Sequence, residues 1–182
     1  MPTITRPNTF LQRLVGAAAL DPAVYEEIEA DPGAIAQAMA IVVVSSLASG
    51  VGATGFGSRI SGAPFFAIAA LMSWAAWALV TYEIGGRLMP TPETRVTIGQ
   101  LLRTIGFAAT PGILSVLGVM RGITTPVFIV AWIWMLAAMV VAVRQALDYT
   151  STARAIAVCV LGWALAIAMA VALGLLFTPG VS

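Results

Sequence analysis

The feature that most constrains this 182-residue chain is a succession of long apolar runs separated by short polar breaks. A helix needs about 20 mostly apolar residues to cross a hydrocarbon layer of roughly 30 Å. From residue 34 onward the sequence offers five such runs, at about 34–54, 64–86, 98–120, 125–146 and 153–177. The third is the weakest, because its charge-free core extends only from Thr104 to Met120 and Pro111-Gly112 interrupts it. Charged residues make up 9 % of the chain and mean hydropathy is +0.98, against about 25 % charged residues in a soluble domain. An ordinary soluble fold is therefore excluded, and the expected class is an all-α integral membrane protein.

The charge inventory removes several functions. Nine arginines, no lysine and eight acids leave a net charge of +1, so there is no basic surface for nucleic acid. Cys159 stands alone and the chain has no histidine, so neither an internal disulfide nor a zinc constellation is expected. No G-x-S-x-G motif or intramembrane aspartate pair is present, so the expectation is a protein without enzymatic activity or cofactor. The Gly50-Val51-Gly52-Ala53-Thr54-Gly55 run matches G-x-G-x-x-G. It follows an apolar helix, however, where a dinucleotide site requires a strand, and it reads as a loop together with Gly57, Ser58 and Gly62.

Residues 1–33 form a separate polar segment. Asn8 or Thr9 can cap a helix whose apolar positions are Phe10, Leu11, Leu14, Val15 and Ala18, with Gln12 and Arg13 on the other side. That pattern predicts an amphipathic helix lying on the membrane surface. A cleaved signal peptide is the competing reading, since Arg6 and Arg13 precede Leu14 to Leu20, but the apolar run is short and no small-residue cleavage site follows it. Asp21-Pro22 and Asp31-Pro32 each provide a capping acid with proline at the first helical position, so each is expected to start a helix.

Arginine placement orients the spans, because cytoplasmic loops carry the excess of Lys and Arg. Five spans with a cytoplasmic N-terminus put Arg6, Arg13, Arg87, Arg95, Arg103, Arg144 and Arg154 inside and only Arg59 and Arg121 outside. Treating the third run as a re-entrant loop gives six inside against three outside. Five spans, N-terminus in and C-terminus out, is the better fit.

Ionisable groups in or near a bilayer mark candidate sites, because a charge at its centre costs from about 2.5 kcal/mol upward. Glu83 and Arg87 form an i, i+4 pair at the end of the second run, and Arg103 opens the third at similar depth. They can form a cluster or snorkel separately into the headgroup layer. Pro111 can free backbone carbonyls for ion coordination or simply kink the helix. Arg144, Asp148 and Tyr149 read as an interfacial anchor. Trp74, Trp77, Trp132, Trp134 and Trp163 lie mid-span and read as packing groups, while small residues at Ser45 and Ser49, Ala138 and Ala142, and Ala164, Ala168 and Ala172, with Ala166, Ala170 and Gly174 alongside, allow close helix approach. The acidic stretch holding Tyr25, Glu26, Glu27 and Glu29 is either a solvated helix face or a docking surface for a partner.

Three blocks together resemble the bacterial branch of the Yip1 family of five-span membrane proteins: Val24-Tyr25-Glu26-Glu27-Ile28-Glu29-Ala30-Asp31-Pro32; Gly106-Phe107-Ala108-Ala109-Thr110-Pro111-Gly112-Ile113-Leu114; and Trp134 through Arg144-Gln145-Ala146-Leu147-Asp148-Tyr149. The resemblance implies a five-helix transmembrane bundle with a cytoplasmic N-terminus, placed in the bacterial inner membrane. Eukaryotic relatives are associated with vesicle traffic and small Rab-type GTPases. Their D-L-Y-G-P motif is absent, with Asp31-Pro32-Gly33-Ala34 in its place, and that function is not carried over. Two readings result. The first is a membrane scaffold or accessory subunit that binds the bilayer and a membrane-protein partner, or a second copy of itself. The second is a small transporter or channel with a polar route near Glu83, Arg103 and Pro111.

Overall fold

A computed structural model describes residues 8–57 and 63–177. Arg6, Arg59 and the loop positions Ser58 and Gly62 lie outside those residues, as do the side chains of Ala166, Ala170 and Ala172 and the surroundings of Gly174 in the small-residue stripe. Every regular element among the described residues is helical. In chain order these are α1 (Phe10–Ala18), α2 (Pro22–Ala30), α3 (Ala34–Gly52), α4 (Ala63–Thr81), α5 (Ile98–Phe107), α6 (Thr124–Ala146) and α7 (Thr152–Phe177). A 3-10 turn, Ala53–Phe56, extends α3, a π-helical turn, Tyr82–Leu88, extends α4, and a 3-10 helix, Thr110–Val119, continues α5. Three stretches among the described residues are long and apolar enough to cross a membrane: Ala34–Phe56, Ile98–Val119 and Thr124–Ala146.

Thr9 caps α1 through a reciprocal box with Gln12, and Asp21 caps α2 through the Ala23 amide with Pro22 in the first turn, as the sequence predicts. The second Asp-Pro behaves differently. Asp31 closes α2 and accepts from the Gly33 amide, and α3 begins at Ala34 without a side-chain cap. Its carboxylate is committed to Arg13, as described below.

Between α1 and α2 the chain reverses in a Schellman turn. Leu20 takes the left-handed conformation at φ 62°, its N–H bonds the Ala17 carbonyl, and the Asp21 N–H bonds that of Gly16. The antiparallel hairpin packs against α5 and α6, and its Val24, Tyr25 and Ile28 join Ala34, Ala38, Ile41, Phe107, Ala138 and Ala142 in one core cluster. A second cluster unites Leu101, Ile105, Val143, Leu147, Tyr149 and Val158 at the ends of α5, α6 and α7.

The tightest packing joins α3 to the 3-10 helix after α5. Ala34, Ala38, Ile41, Ser45, Ala48 and Gly52 form the buried stripe of α3, and Gly112 and Gly118 are buried on the facing segment. A methyl group on Gly52 would overlap the Ser115 carbonyl, and one on Gly112 would overlap the Ser45 hydroxyl. Small residues are what permit this backbone-to-backbone approach. The third apolar run is thus α-helical up to Phe107 and 3-10 from Thr110, with Pro111 at the change, where its ring and missing N–H break the α pattern.

Gly52→Ala should lower stability in detergent by about 1–3 kcal/mol through overpacking. Gly50→Ala, where no atom lies within 4 Å of the added carbon, should be neutral or stabilising by up to about 1 kcal/mol. Paired thermal melts of the two variants check this.

Candidate functional site

Most of the paired charged groups among the described residues gather at one end of the bundle, where the α1–α2 hairpin meets the start of α5 and the end of α6. Arg13 is the centre of the first group. It is only 4 % exposed, although helical periodicity places it on the polar face of α1. The guanidinium bonds Glu27 at 2.9 Å and Asp31 at 2.7 Å, and its Nη1 also reaches Gln37 at 3.3 Å. Asn8 donates to both oxygens of Glu27. The Arg13 hydrogen bond, together with the Gly33 amide, holds the Asp31 carboxyl below the usual carboxylate range. The apolar face of α1 is divided: Leu11 and Val15 are exposed, whereas Leu14 packs on the core and Phe10 meets Phe107 edge-on.

Arg103 centres the second group. Its guanidinium donates to the carbonyls of Ile28 and Glu29, the last turn of α2, where unsatisfied carbonyls and the negative end of the helix dipole attract a cation. Gln100 donates to the Glu29 carboxylate at 2.8 Å. Half-burial, reinforced by the nearby Asp148 charge, pushes Glu29 up to about 7, against the opposing pull of Arg103 and the Gln100 hydrogen bond. On the hairpin's other side Gln145 donates to Glu26, and Trp134 donates its indole N–H to the Ala18 carbonyl at 2.7 Å.

A third group surrounds Tyr149. Pro90 has no N–H to serve the Gly85 carbonyl across the π turn, and the Tyr149 hydroxyl lies 2.9 Å from that carbonyl and 2.8 Å from the carbonyl of Met89. Thr94 donates to the Leu147 carbonyl, and the Arg154 guanidinium lies over the Tyr149 ring. Gly85 lets the π turn pack closely here, since a methyl group would displace the end of the Leu147 side chain.

These contacts redistribute the residues that the sequence singles out. Tyr25 is wholly buried and donates its hydroxyl to the Ala17 carbonyl, so burial raises its phenol and removes it from any surface. Glu27 is engaged by Arg13 and Asn8, and Glu29 is half-buried against Gln100. Of the four acidic-stretch candidates only Glu26 is exposed. Glu83 and Arg87 do pair, at 3.0 Å, but both are more than half exposed. Arg103 turns to α2 instead of joining them, and Pro111 is buried within the 3-10 helix. Glu83, Arg103 and Pro111 are therefore not brought together. Helical spacing does not reveal the roles of Arg13, Trp134 or Tyr149, or the bond from Gln100 to Glu29, because those partners are distant in sequence; the local signal at Gln100 is its capping box with Thr97.

A model of the Yip1 domain matches residues 4–173, nearly the whole chain. The chain belongs to the Yip1 family. No curated protein and no solved structure matches it. Membership agrees with the apolar helices in making this a membrane protein. The blocks that carry the resemblance also have structural work: the first forms α2 and its contacts to Arg13 and Arg103, the second the α5 to 3-10 transition, and the third the end of α6.

Two outcomes are expected. Arg13→Gln should destabilise by about 1–3 kcal/mol, since it leaves two carboxylates without their cation. Glu83→Gln should change stability by less than about 0.5 kcal/mol, as exposed pairs contribute little. Thermal melts and protease cleavage between α2 and α3 report both. Because Glu29 binds its proton more tightly when folded, stability falls as pH rises from its ordinary value near 4.5 to about 7 and is flat above. Wild-type melts at about pH 5.5 and about pH 8 should show that loss, and Glu29→Gln should abolish it.

Proposed function

We propose that this Yip1-family chain is a five-span protein of the bacterial inner membrane, N-terminus cytoplasmic and C-terminus outside, acting as a non-enzymatic scaffold or accessory subunit. One observation carries the reading. The charged side chains at the polar end are largely bound to partners within the chain, while α6 leaves Ile129, Val130, Trp132 and Ile133 about half exposed. Trp132 packs on Trp163 of α7 with ring centroids 5.0 Å apart, which makes a firm aromatic ridge across two helices. Within a bilayer such a ridge supports association by shape and dispersion, since lipid removes the hydrophobic drive between helices. At the surface, Glu26 is the exposed member of the acidic stretch, held in place by Gln145 and carried on a hairpin fixed by Arg13 and Arg103. Tyr25, Glu27 and Glu29 support that surface from beneath.

The test is native mass spectrometry of the gently extracted protein, combined with cysteine-accessibility mapping of both termini. Recovery of a second membrane protein, or of a second copy, is expected. Ile129→Ala with Ile133→Ala, both about half exposed on α6, should reduce that recovery by about tenfold, equivalent to about 1.4 kcal/mol, while a thermal melt still reports a folded protein. Recovery of a lone bundle from every mild extraction overturns the scaffold reading, and labelling of both termini from one side overturns the topology.

A further inference from the structure

A second feature of the same end is a polar cavity of about 320 Å³ lined by Glu26, Arg144, Gln145, Asp148, Tyr149 and Thr150. Its charges are only partly used within the chain. Arg144 donates from Nε to the Tyr149 carbonyl, and its two terminal nitrogens have no hydrogen-bond partner among the described residues. Asp148 lies four residues after Arg144, yet the two do not pair. The helix ends at Ala146 in a Schellman turn, with Asp148 left-handed at φ 52°, its N–H on the Gln145 carbonyl and the Tyr149 N–H on that of Arg144. The turn carries the carboxylate away from the guanidinium. Glu26 keeps one oxygen beyond its bond from Gln145. The cavity therefore offers a forked cationic donor on one wall and two carboxylate acceptors on the others.

A separate apolar groove lies further along the same helix. Leu136, Val140 and Arg144 succeed one another at four-residue spacing on one line of α6, covering about 12 Å at 1.5 Å per residue. Leu136 and Val140 border a groove between α6 and α7 of about 460 Å³, whose other walls include Met139, Ile156, Cys159 and Val160. A phosphodiester matches the terminal N–H groups of Arg144, and a primary ammonium donates to Glu26 and Asp148. An acyl chain matches the groove one turn deeper. An anionic headgroup without an amine would meet the two carboxylates unpaired, and a quaternary ammonium would have no N–H to give them.

We propose that the end of α6 is a binding site for an aminophospholipid, with the headgroup phosphate on Arg144, its primary amine between Glu26 and Asp148, and one acyl chain along the α6–α7 groove. This goes beyond the scaffold reading and does not depend on any protein partner.

The test uses the full-length protein, delipidated and titrated in mixed micelles with phosphatidylethanolamine, phosphatidylglycerol or phosphatidylcholine, with bound lipid counted by native mass spectrometry. Free phosphoethanolamine is a fourth arm. Phosphatidylethanolamine should be retained about tenfold over the other two lipids, and free phosphoethanolamine should bind weakly or not at all. Arg144→Gln and Asp148→Asn should each remove the preference, whereas Arg144→Lys should keep part of it and so separate lost binding from lost folding. Val140→Trp, which fills the groove, should lower retention of the lipid. Equal retention of all three lipids, preference for phosphatidylglycerol, binding of free phosphoethanolamine as strong as that of the lipid, or lipid retention unchanged by Val140→Trp would each overturn the proposal.

Discussion

The structure depends on one requirement: every backbone carbonyl that leaves a regular α-helix in an apolar setting needs a donor. In hydrocarbon an unsatisfied peptide group costs several kcal/mol, and this chain breaks its α pattern repeatedly. Some of these carbonyls are met locally, as Thr110 meets Phe107 and Thr54 meets Val51, and others by a side chain from elsewhere. Arg103 serves the end of α2, Trp134 the end of α1, Tyr149 the end of the π turn, and Trp74 the Leu102 carbonyl within α5. The donors come from α4, α5, α6 and the segment after α6, so these bonds also fix how the helices sit against one another.

Packing supplies the second half of the frame. Where α3 meets the 3-10 helix the backbones touch, and side chains of any size would separate them. Shape therefore does what hydrophobicity cannot do among lipid tails. The two halves are coupled: the Ser45 hydroxyl sits against Gly112 at the break made by Pro111, so the irregular segment is held at close range by the smallest residues of its neighbour.

Much of the architecture can be read from the sequence because it is written in local periodicity. The apolar runs coincide with helices, Thr9 and Asp21 cap as their spacing suggests, and Pro111 marks a change of helix type. Ala138 and Ala142 lie buried on one face of α6. What periodicity could not convey is the destination of a polar side chain. Arg13 has the spacing of a solvent-facing residue, yet the acids that neutralise it arrive only when α2 folds back. Tyr25 sits among acids and reads as surface, but the reversal at Leu20 turns it to the core. The Glu83 to Arg87 pair was visible because it is local, whereas the partners of Arg103 lie about 75 residues away.

The contacts of the N-terminal hairpin fall into two classes by chain separation, and this has a consequence for assembly. Arg13 meets Glu27 and Asp31 across 14 and 18 residues, so the pair can close and neutralise its charge as soon as α2 exists. The bonds to Trp134 and Gln145 span 116 and 119 residues. At a translation rate of about 5–20 residues per second, the folded hairpin waits about 6–23 s before its seat on α6 has been synthesised. Through that interval Leu11 and Val15 remain an apolar patch outside any bundle, and the self-neutralised hairpin is suited to resting in the headgroup region until the fourth apolar run has been inserted.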